Sequence, residues 1–485
     1  MQEYQLFAKR IGLIGITNIL ISLSGIVLLP ILTKTLPIEE YGIYIQITVT
    51  IGLFPGVAML GLPYTMVRYL AAAKSREEIQ DAYYSIACIT VISAGLASTV
   101  LFFLAEPIAA ALFDGRTTIL ELLAPIIFLE CMNLLQLNYF RTFLQIRKYS
   151  FFLFLKTGLQ IILIVISILT GHGLLGVVMS FFVTSLILFL IMCFFIVHGI
   201  GITIPTFRNL REYLLFGLPT IPGNFSSWVV DSSDRYMIAL FLGAAYVGYY
   251  SPGYTLGNIL TMFISPLVFI LPAILSKLYE ENDLQAVQTI LQYSLKYFLI
   301  LAIPSSIGLS VLSKPILSIL STPEIASNGY LITPFTAMSA IFFGIYAIIV
   351  QILFLEKKTI ITAKVWIVAA LINFGLNLFA IPFFGIVGAA ITTFCAFIFP
   401  LGVILYYTKK HSFIDIFHDF NKTILHIFLA SLCVIPIIIM IKPSDITSLI
   451  VTIMLYSFLY FVFLFMLREI KEQEIQFFKK LIIAK

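Results

Sequence analysis

The sequence predicts an all-α polytopic membrane protein, and three observations support this fold class. The 485-residue chain is 60% hydrophobic and 11% charged, with a mean hydropathy of +1.06, a composition outside the usual range of soluble globular domains. Apolar stretches long enough for a helix to cross the ~30 Å hydrocarbon layer follow one another almost from end to end. The connections between them alternate between rich and poor in basic residues.

We count fourteen apolar stretches, each with the length expected of one membrane-spanning helix. The first follows two basic residues, but it is too long for a signal peptide and lacks a small-residue cleavage site, so we expect a retained helix. No connection exceeds about twenty residues, which leaves no room for a folded domain outside the bilayer. The stretches run approximately over 11–33, 43–67, 83–104, 118–140, 151–170, 174–197, 214–243, 246–272, 295–320, 329–355, 360–382, 385–407, 423–441 and 446–467.

The basic residues predict the orientation of the chain. One alternating set of connections holds 24 of the 29 Lys and Arg residues, with Lys156 and Lys296 counted among them. By the positive-inside rule both termini are cytoplasmic, in a multi-pass protein of the inner, cytoplasmic membrane of the cell. The net charge of +5 therefore reflects orientation and requires no nucleic-acid partner. The other set of connections holds four basic residues, Lys34, Arg116, Lys314 and Lys442.

An internal repeat organises the first twelve stretches. Five short matches recur in the same order at an offset of 206 to 212 residues: EEYGIY with AYVGYY, LPYTMVRYL with LPAILSKLY, EPIAAALF with KPILSILS, FLQIRK with FLEKKT, and GLLGVV with GIVGAA. The repeated unit has six helices, an even number, so both copies enter the membrane in the same direction. We expect a six-helix lobe at 1–200, a second at 201–410, and helices thirteen and fourteen with a cytoplasmic tail at 411–485. Two such lobes around a central cleft are typical of alternating-access transporters.

The segment WVVDSSDRY, 228–236, places three charges in an apolar run, 214–243, that holds no others. Asp231, Asp234 and Arg235 stand at positions i, i+3 and i+4 of a helix, where the first and last could pair. Each such charge costs about 2.5–3.5 kcal/mol on insertion scales and must face protein or water. Two interpretations stay open, a structural salt bridge and the wall of a water-filled cleft that attracts anions. The first lobe has no charge near the matching position, which favours a function.

Other residues add candidates for the same cleft. Pro219 and Pro222 precede the charged segment in the same stretch and favour a bend. Glu130 lies at the middle of the fourth stretch and is a candidate site for H⁺ or Na⁺, or a partner for Arg235. Lys34, Arg68 and Lys277 lie at helix ends, where they could bind an anionic substrate or only extend to the interface.

With these residues, the sequence resembles the polysaccharide and O-antigen flippases of the multidrug/oligosaccharidyl-lipid/polysaccharide exporter superfamily. The resemblance lies in LPILTKTLPIEEYGIYIQ, in FGLPTIPGNFSSWVVDSSDRYMIALFLGAAYVGYYSPGYTLG and in NFGLNLFAIPFFGIVGAAITTF. It implies a fourteen-helix transporter that moves an oligosaccharide, linked through pyrophosphate to a polyprenol, from the cytoplasmic to the outer leaflet. Arg235 is the position that best fits the basic residues with which such proteins hold the pyrophosphate.

Several further expectations follow for ligands and partners. H⁺ or Na⁺ is a candidate coupling ion, with Glu130 and Asp231 as candidate sites. Membrane lipids and polysaccharide assembly proteins are candidate partners, and neither a cofactor nor a metal site is expected, because the five cysteines lack metal spacing and no nucleotide-binding motif is present. One alternative is a multidrug and toxin extrusion antiporter for organic cations. The short connections argue against a membrane enzyme such as a polysaccharide polymerase or glycosyltransferase.

Overall fold

A computed structural model describes residues 15, 17, 20–21, 24–71, 73, 75–411, 420–441, 443–467 and 469. Every regular element in these ranges is a helix, and no strand occurs among them. This confirms the all-α class. Several basic residues that set the predicted orientation lie outside the described residues, namely Lys9, Arg10, Lys74, Lys442, Arg468, Lys471, Lys479, Lys480 and Lys485.

The described helices are numbered here in their order along the chain. A 3₁₀ turn at Leu218–Thr220 separates α9 from α10. The helices are α1 Ser24–Thr35, α2 Ile38–Ala58, α3 Leu62–Tyr69, α4 Arg76–Phe103, α5 Ala105–Leu112, α6 Thr117–Thr142, α7 Ile146–Leu169, α8 Gly173–Ile200, α9 Leu210–Gly217, α10 Ile221–Leu242, α11 Ala244–Asn258, α12 Thr261–Glu280, α13 Leu284–Leu320, α14 Pro323–Gly329, α15 Ile332–Ile349, α16 Gln351–Leu355, α17 Thr359–His411, α18 Phe420–Ile441 and α19 Ile446–Met466.

Eleven helical stretches of the described chain are long and apolar enough to cross a membrane. One of them, the 53-residue α17, contains a break at Gly385, where φ is +60°. Left-handed backbone of this kind is accessible to glycine without steric cost. The break falls at the first residue of the twelfth stretch identified in the sequence, 385–407. The protein is therefore a multi-pass membrane protein, while the total of fourteen spans stays a prediction.

The helices pack into two compact units. The α6-centred unit comprises 12–251 and 366–389, and in it α6 packs against α2, α4 and α8. The α13-centred unit comprises the described residues of 252–365 and 390–469, and in it α13 packs against α15 and α18. The two duplicated lobes, with boundaries at 200 and 410, stay a prediction.

The long helix α13 remains continuous through Pro304 because another helix supplies a missing hydrogen-bond donor. Proline has no backbone N–H, so the carbonyl of Ile300, four residues earlier, loses its helical partner. The hydroxyl of Tyr460 in α19 donates to that carbonyl at 2.8 Å. The hydroxyl of Tyr456 donates to the carbonyl of Pro304 at 2.9 Å. The helix α19 thus donates two side-chain hydrogen bonds to the backbone of α13.

Two lysines assigned to connections in the sequence lie inside helices. Lys156 is the eleventh residue of α7, and Lys296 is the thirteenth residue of α13. Both lysines already lie within the apolar stretches 151–170 and 295–320, and the helices begin earlier still, because polar first turns continue the helix beyond its hydrophobic part. Lys296 is buried and donates to the backbone carbonyl of Glu469 at 2.6 Å, and the Glu469 carboxylate lies 2.6 Å from Nδ1 of His426.

Candidate functional site

The charged segment lies on α10, directly after an interrupted helix. The helix α9 ends at Gly217, a 3₁₀ turn begins at Leu218, and α10 starts at Ile221 with Pro222 in its first turn. Proline is well tolerated in a first turn, because the N–H that it lacks has no helical partner there. The prolines therefore interrupt the helix as the sequence predicts, before the charges rather than among them.

Two close glycine contacts flank α10, one between α2 and the start of α11 and one between the residue before α3 and the end of α9. A Cβ on Gly42 would lie 1.9 Å from the carbonyl oxygen of Ala244, and a Cβ on Gly61 would lie 2.1 Å from that of Gly217. No side chain fits at either place. Between these contacts, the hydroxyls of Thr50 and Tyr236 form a 2.5 Å hydrogen bond. The helix α10 is thus flanked by close backbone contacts at both ends and is hydrogen-bonded to α2 in its middle.

Arg235 and Asp234 form a buried ion pair. The Nη1 atom of Arg235 donates to Oδ1 of Asp234 at 2.8 Å and also to the backbone carbonyl of Asp231. Asp234 is fully buried and accepts a hydrogen bond from the hydroxyl of Tyr250 in α11. The ring of Tyr250 lies 5.5 Å from the guanidinium of Arg235, which permits a cation–π interaction. The pair is therefore formed within one helix and is tied to the next through Tyr250.

Asp231 differs from its two neighbours in exposure. Its side chain is exposed, whereas Asp234 and Arg235 are 0% and 7% exposed. Two aspartates and one arginine give the cluster a formal charge of −1 when all are ionised. The cluster consequently has one exposed carboxylate, that of Asp231, and a buried guanidinium, that of Arg235.

The other substrate-binding candidates lie at the ends of other helices. Lys34, Arg68 and Lys277 are exposed in the last turns of α1, α3 and α12. The guanidinium of Arg68 lies over the ring of Phe216 at 4.7 Å, and Lys277 forms a weak i,i+4 ion pair with Glu281 at 3.9 Å. Of the six candidates, the structure brings together the three charges of α10.

Glu130 has a partner that the sequence interpretation did not include. Oε2 of its buried carboxylate lies 2.5 Å from Nζ of Lys156 in α7, and Oε1 accepts a hydrogen bond from Ser185 in α8 at 2.6 Å. The Asn133 side chain donates to the backbone carbonyl of Ser185 at 3.0 Å. Pairing with Arg235 was one suggestion for Glu130, and the structure gives both residues other partners.

A signal for the Glu130–Lys156 pair is present in the sequence. Helices α6 and α7 form a hairpin with only three residues between Thr142 and Ile146. Glu130 precedes the end of α6 by twelve residues and Lys156 follows the start of α7 by ten, so both lie at similar depth in antiparallel helices. Placing Lys156 within its apolar stretch, 151–170, and not in a connection reveals this opposition. Tyr250, which holds Asp234, carried no such signal, because tyrosines are abundant throughout the chain.

Comparison with known families decides the relationship of the chain. A sequence model of the family described as "polysaccharide biosynthesis protein" matches residues 31–324, which include the charged helix α10. The chain belongs to this family. The result confirms the resemblance predicted from the sequence.

Individual relatives of this polysaccharide biosynthesis protein are distant. The chain is 25% identical over 222 residues to the probable low-salt glycan biosynthesis flippase Agl15 of Haloferax volcanii, an alignment that covers 45% of the chain and 46% of the relative. It is 27% identical over 143 residues to the probable lipid II flippase MurJ of Rickettsia prowazekii, which covers 28% of each protein. The matched part thus spans less than half the length of these two curated relatives.

Solved structures show the fold of this family member. A lipid II flippase MurJ in an inward closed conformation superposes with a TM-score of 0.72 at 19% identity, covering 94% of this chain and 97% of that one. An inward-facing multidrug resistance MATE transporter of the MOP superfamily superposes with a TM-score of 0.67 at 14% identity, covering 81% and 96%. The chain therefore has a MurJ-like and MATE-like fold.

Proposed function

We propose that this protein is a flippase for a polyprenyl-pyrophosphate-linked oligosaccharide, which it moves from the cytoplasmic to the outer leaflet of the cell membrane during surface polysaccharide synthesis. The observation that carries the proposal is a buried, ion-paired arginine on an interrupted apolar helix, within the region that matches the polysaccharide biosynthesis family. Membrane lipids and polysaccharide assembly proteins are its proposed partners. The relatives are flippases, which supports a transporter and not an enzyme.

The proposed transport mechanism is alternating access by two six-helix lobes, and it rests on the repeat in the sequence. In this mechanism Arg235 binds the pyrophosphate by exchanging the Asp234 carboxylate for a phosphate oxygen. Arginine suits this role, because its planar guanidinium donates to phosphate in a bidentate manner. Asp231 and Asp234 hold Arg235 in place when no substrate is bound, and Lys34, Arg68 and Lys277 attract the head group at the membrane surfaces.

Export of this substrate is favoured electrically. Moving negative charge out of a cell that is negative inside releases about 2.3 kcal/mol per charge per 100 mV. A pyrophosphate with two charges gains about twice that amount. A membrane potential that is negative inside can thus drive flipping even without a coupling ion.

Transport in reconstituted vesicles tests the proposal. We expect wild-type protein to move a fluorescent lipid-linked oligosaccharide across the bilayer, Arg235→Ala to slow this at least tenfold, and Arg235→Lys to retain part of the rate. Arg211→Ala, which removes an exposed arginine from α9 of the same unit, is the matched control. Absence of wild-type transport for such lipids would refute the flippase, whereas undiminished transport by folded Arg235→Ala would refute the anion site alone.

One observation favours a second candidate, extrusion of organic cations. The α10 cluster has a formal charge of −1 and exposes a carboxylate, Asp231, which suits a cation better than an anion. Efflux of a fluorescent organic cation from the same vesicles separates the candidates. A cation extruder loses efflux with Asp231→Asn, and cells that lack it gain drug sensitivity, whereas cells that lack a flippase lose surface polysaccharide.

The proposed coupling ion is H⁺ or Na⁺, with Glu130 and Asp231 as its candidate sites. A carboxylate at membrane depth is a functional-site hypothesis by default. The two sites differ, because Asp231 is exposed and Glu130 is buried against Lys156. Imposing opposite gradients of each ion across the vesicles identifies which one changes the rate of flipping.

A further inference from the structure

We infer that the Glu130–Lys156 pair in the α6-centred unit is a proton-binding site, whose ligand is H⁺ and not Na⁺. The inference deepens the coupling part of the proposed function, and its consequence for transport rests on that function. Proton binding itself can be measured without substrate. It follows from the donors around the carboxylate, from the polar atoms beside it and from the charges on the surrounding helices.

Both oxygens of the Glu130 carboxylate already face donors. Nζ of Lys156 lies 2.5 Å from Oε2, and Oγ of Ser185 lies 2.6 Å from Oε1. A sodium ion bound here would lie beside the Lys156 ammonium, and like charges repel strongly in a low-dielectric interior. It would also need several oxygen ligands, as hard cations do. A proton needs neither space nor additional ligands.

Protonation changes the charge of the site by one. The incoming proton adds to Oε2 of Glu130 and converts the carboxylate to a carboxylic acid, while Lys156 keeps its three protons. The pair goes from a net charge of zero to +1, and the bond between Nζ and Oε2 loses its ionic attraction. The Lys156 side chain is 27% exposed, against 8% for Glu130, so the ammonium has room to turn away from the acid.

Two buried amides extend the polar face of α6 beyond Glu130. Asn133 and Gln136 follow it at intervals of three residues and are 1% and 2% exposed. Their amide nitrogens donate to the backbone carbonyls of Ser185 and Phe189, but neither Oδ1 of Asn133 nor Oε1 of Gln136 accepts a hydrogen bond from any described residue. Buried acceptors of this kind are typically satisfied by water. They form a route for a proton, or acceptors for the displaced ammonium, along about 9 Å of helix.

The charges around Glu130 are few. The helices packed against α6 include α2, α3, α4, α5, α7 and α8. The sequence carries one charged residue, Lys156, in the long apolar parts of four of these helices. These parts are 41–58 of α2, 82–103 of α4, 149–169 of α7 and 173–197 of α8. Arg68 in α3 and Glu106 in α5 are exposed, and the neighbouring Cys131 is a buried thiol. Among the described parts of these helices, Lys156 is therefore the charged group that lies against the Glu130 carboxylate.

Infrared difference spectroscopy of the purified protein in nanodiscs tests the inference directly. A buried carboxylic acid gives a carbonyl stretching band that its carboxylate lacks. We expect lowering the pH to produce such a band in wild-type protein, with the same midpoint in NaCl and in KCl. Because Asp234 and Glu469 are also buried carboxyl groups, the band is assigned by comparing variants.

Three variants make the assignment. Glu130→Gln paired with Lys156→Met removes both charges together, which avoids an isolated buried ammonium, and we expect it to lose the band. Lys156→Met alone removes the compensating charge, so Glu130 stays protonated and its band shows no pH dependence over the range in which the wild type titrates. Glu121→Gln removes an exposed carboxylate from the same helix and should leave the band unchanged.

Two outcomes would overturn the proton site. One is a pH-dependent band that persists unchanged in the double variant, and the other is a midpoint that moves when Na⁺ replaces K⁺. The result is independent of the flippase proposal. Vesicles that show no flipping with an intact Glu130 band would refute the proposed function and leave the proton site standing. Flipping that keeps its dependence on the pH gradient in the double variant would remove this site from coupling.

Discussion

Two proline-containing segments of this protein differ in whether the α-helix continues through the proline. In α13, Pro304 lies inside a continuous helix of 37 residues, whereas near Pro219 and Pro222 the chain passes from α9 through a 3₁₀ turn into α10. The difference lies in the neighbours. A tyrosine hydroxyl from α19 takes the carbonyl that Pro304 leaves without a donor, while around Pro222 the carbonyl of Leu218 is taken by the backbone N–H of Ile221 in the tighter turn. At these two prolines the carbonyl left without its helical donor is satisfied in different ways, by a side chain in α13 and by a tighter turn before α10.

The largest expected effect concerns the charges that follow the interrupted helix. Asp234→Ala leaves the guanidinium of Arg235 buried without its carboxylate, and breaking a buried pair costs about 3–5 kcal/mol. We expect a large drop in the thermal unfolding temperature of the protein in nanodiscs. Asp231→Ala, at an exposed position on the same helix, should change it far less. Equal effects of the two variants would contradict the burial difference.

A second prediction tests the close contact between α2 and the start of α11, directly after α10. A methyl group on Gly42 would meet a backbone carbonyl at 1.9 Å, and overpacking of this kind costs about 1–3 kcal/mol or more, because backbone cannot turn aside. Gly42→Ala should therefore lower the unfolding temperature markedly. Gly52→Ala in the same helix meets nothing within 4 Å and is the matched control, expected to be neutral or slightly stabilising. Tolerance of Gly42→Ala would show that the two helices can separate at no cost.

Pro304 and Tyr460, whose hydroxyl replaces the missing donor, give a prediction with a similar expected loss of stability. Tyr460→Phe removes the donor to the buried carbonyl of Ile300, and an unsatisfied buried acceptor costs about 1–3 kcal/mol. In a Pro304→Ala background the helix can supply its own N–H, so the same tyrosine substitution should cost less than about half as much. A double-mutant cycle on unfolding free energy measures the coupling. Additive effects would mean that the hydroxyl does not compensate for the proline.

The smallest expected effect is at the neighbouring tyrosine. The carbonyl of Pro304 can accept the helical N–H of Gly308, so the hydroxyl of Tyr456 is a second donor to it. Tyr456→Phe should cost about 0.5–1.5 kcal/mol, the net value of an ordinary hydrogen bond. The unfolding temperature of this variant should lie between those of wild type and Tyr460→Phe. A larger loss than for Tyr460→Phe would reverse the proposed order of the two tyrosines.

Sequence reasoning succeeded where composition and spacing carry the information. Hydropathy identified the membrane class, the twelfth predicted stretch begins at Gly385, where the helix breaks, and the spacing of Asp231, Asp234 and Arg235 placed them together. It failed where the answer depended on contacts between distant segments. Lys156 lies inside the apolar stretch 151–170, but its position alone does not reveal the partner on the neighbouring helix α6. The role of Tyr460, 160 residues from Ile300, could not be recognised among the 24 tyrosines of the chain.

The distance in sequence between Ile300 and Tyr460 has a consequence for synthesis. At about 5–20 residues per second, the ribosome reaches the tyrosine roughly 8–30 s after the carbonyl that it serves. During that interval the region around Pro304 is already made, and the hydroxyl that completes it does not yet exist. The helix α19 therefore completes a helix made much earlier, and the α13-centred unit reaches its final packing only after residue 460 has been translated.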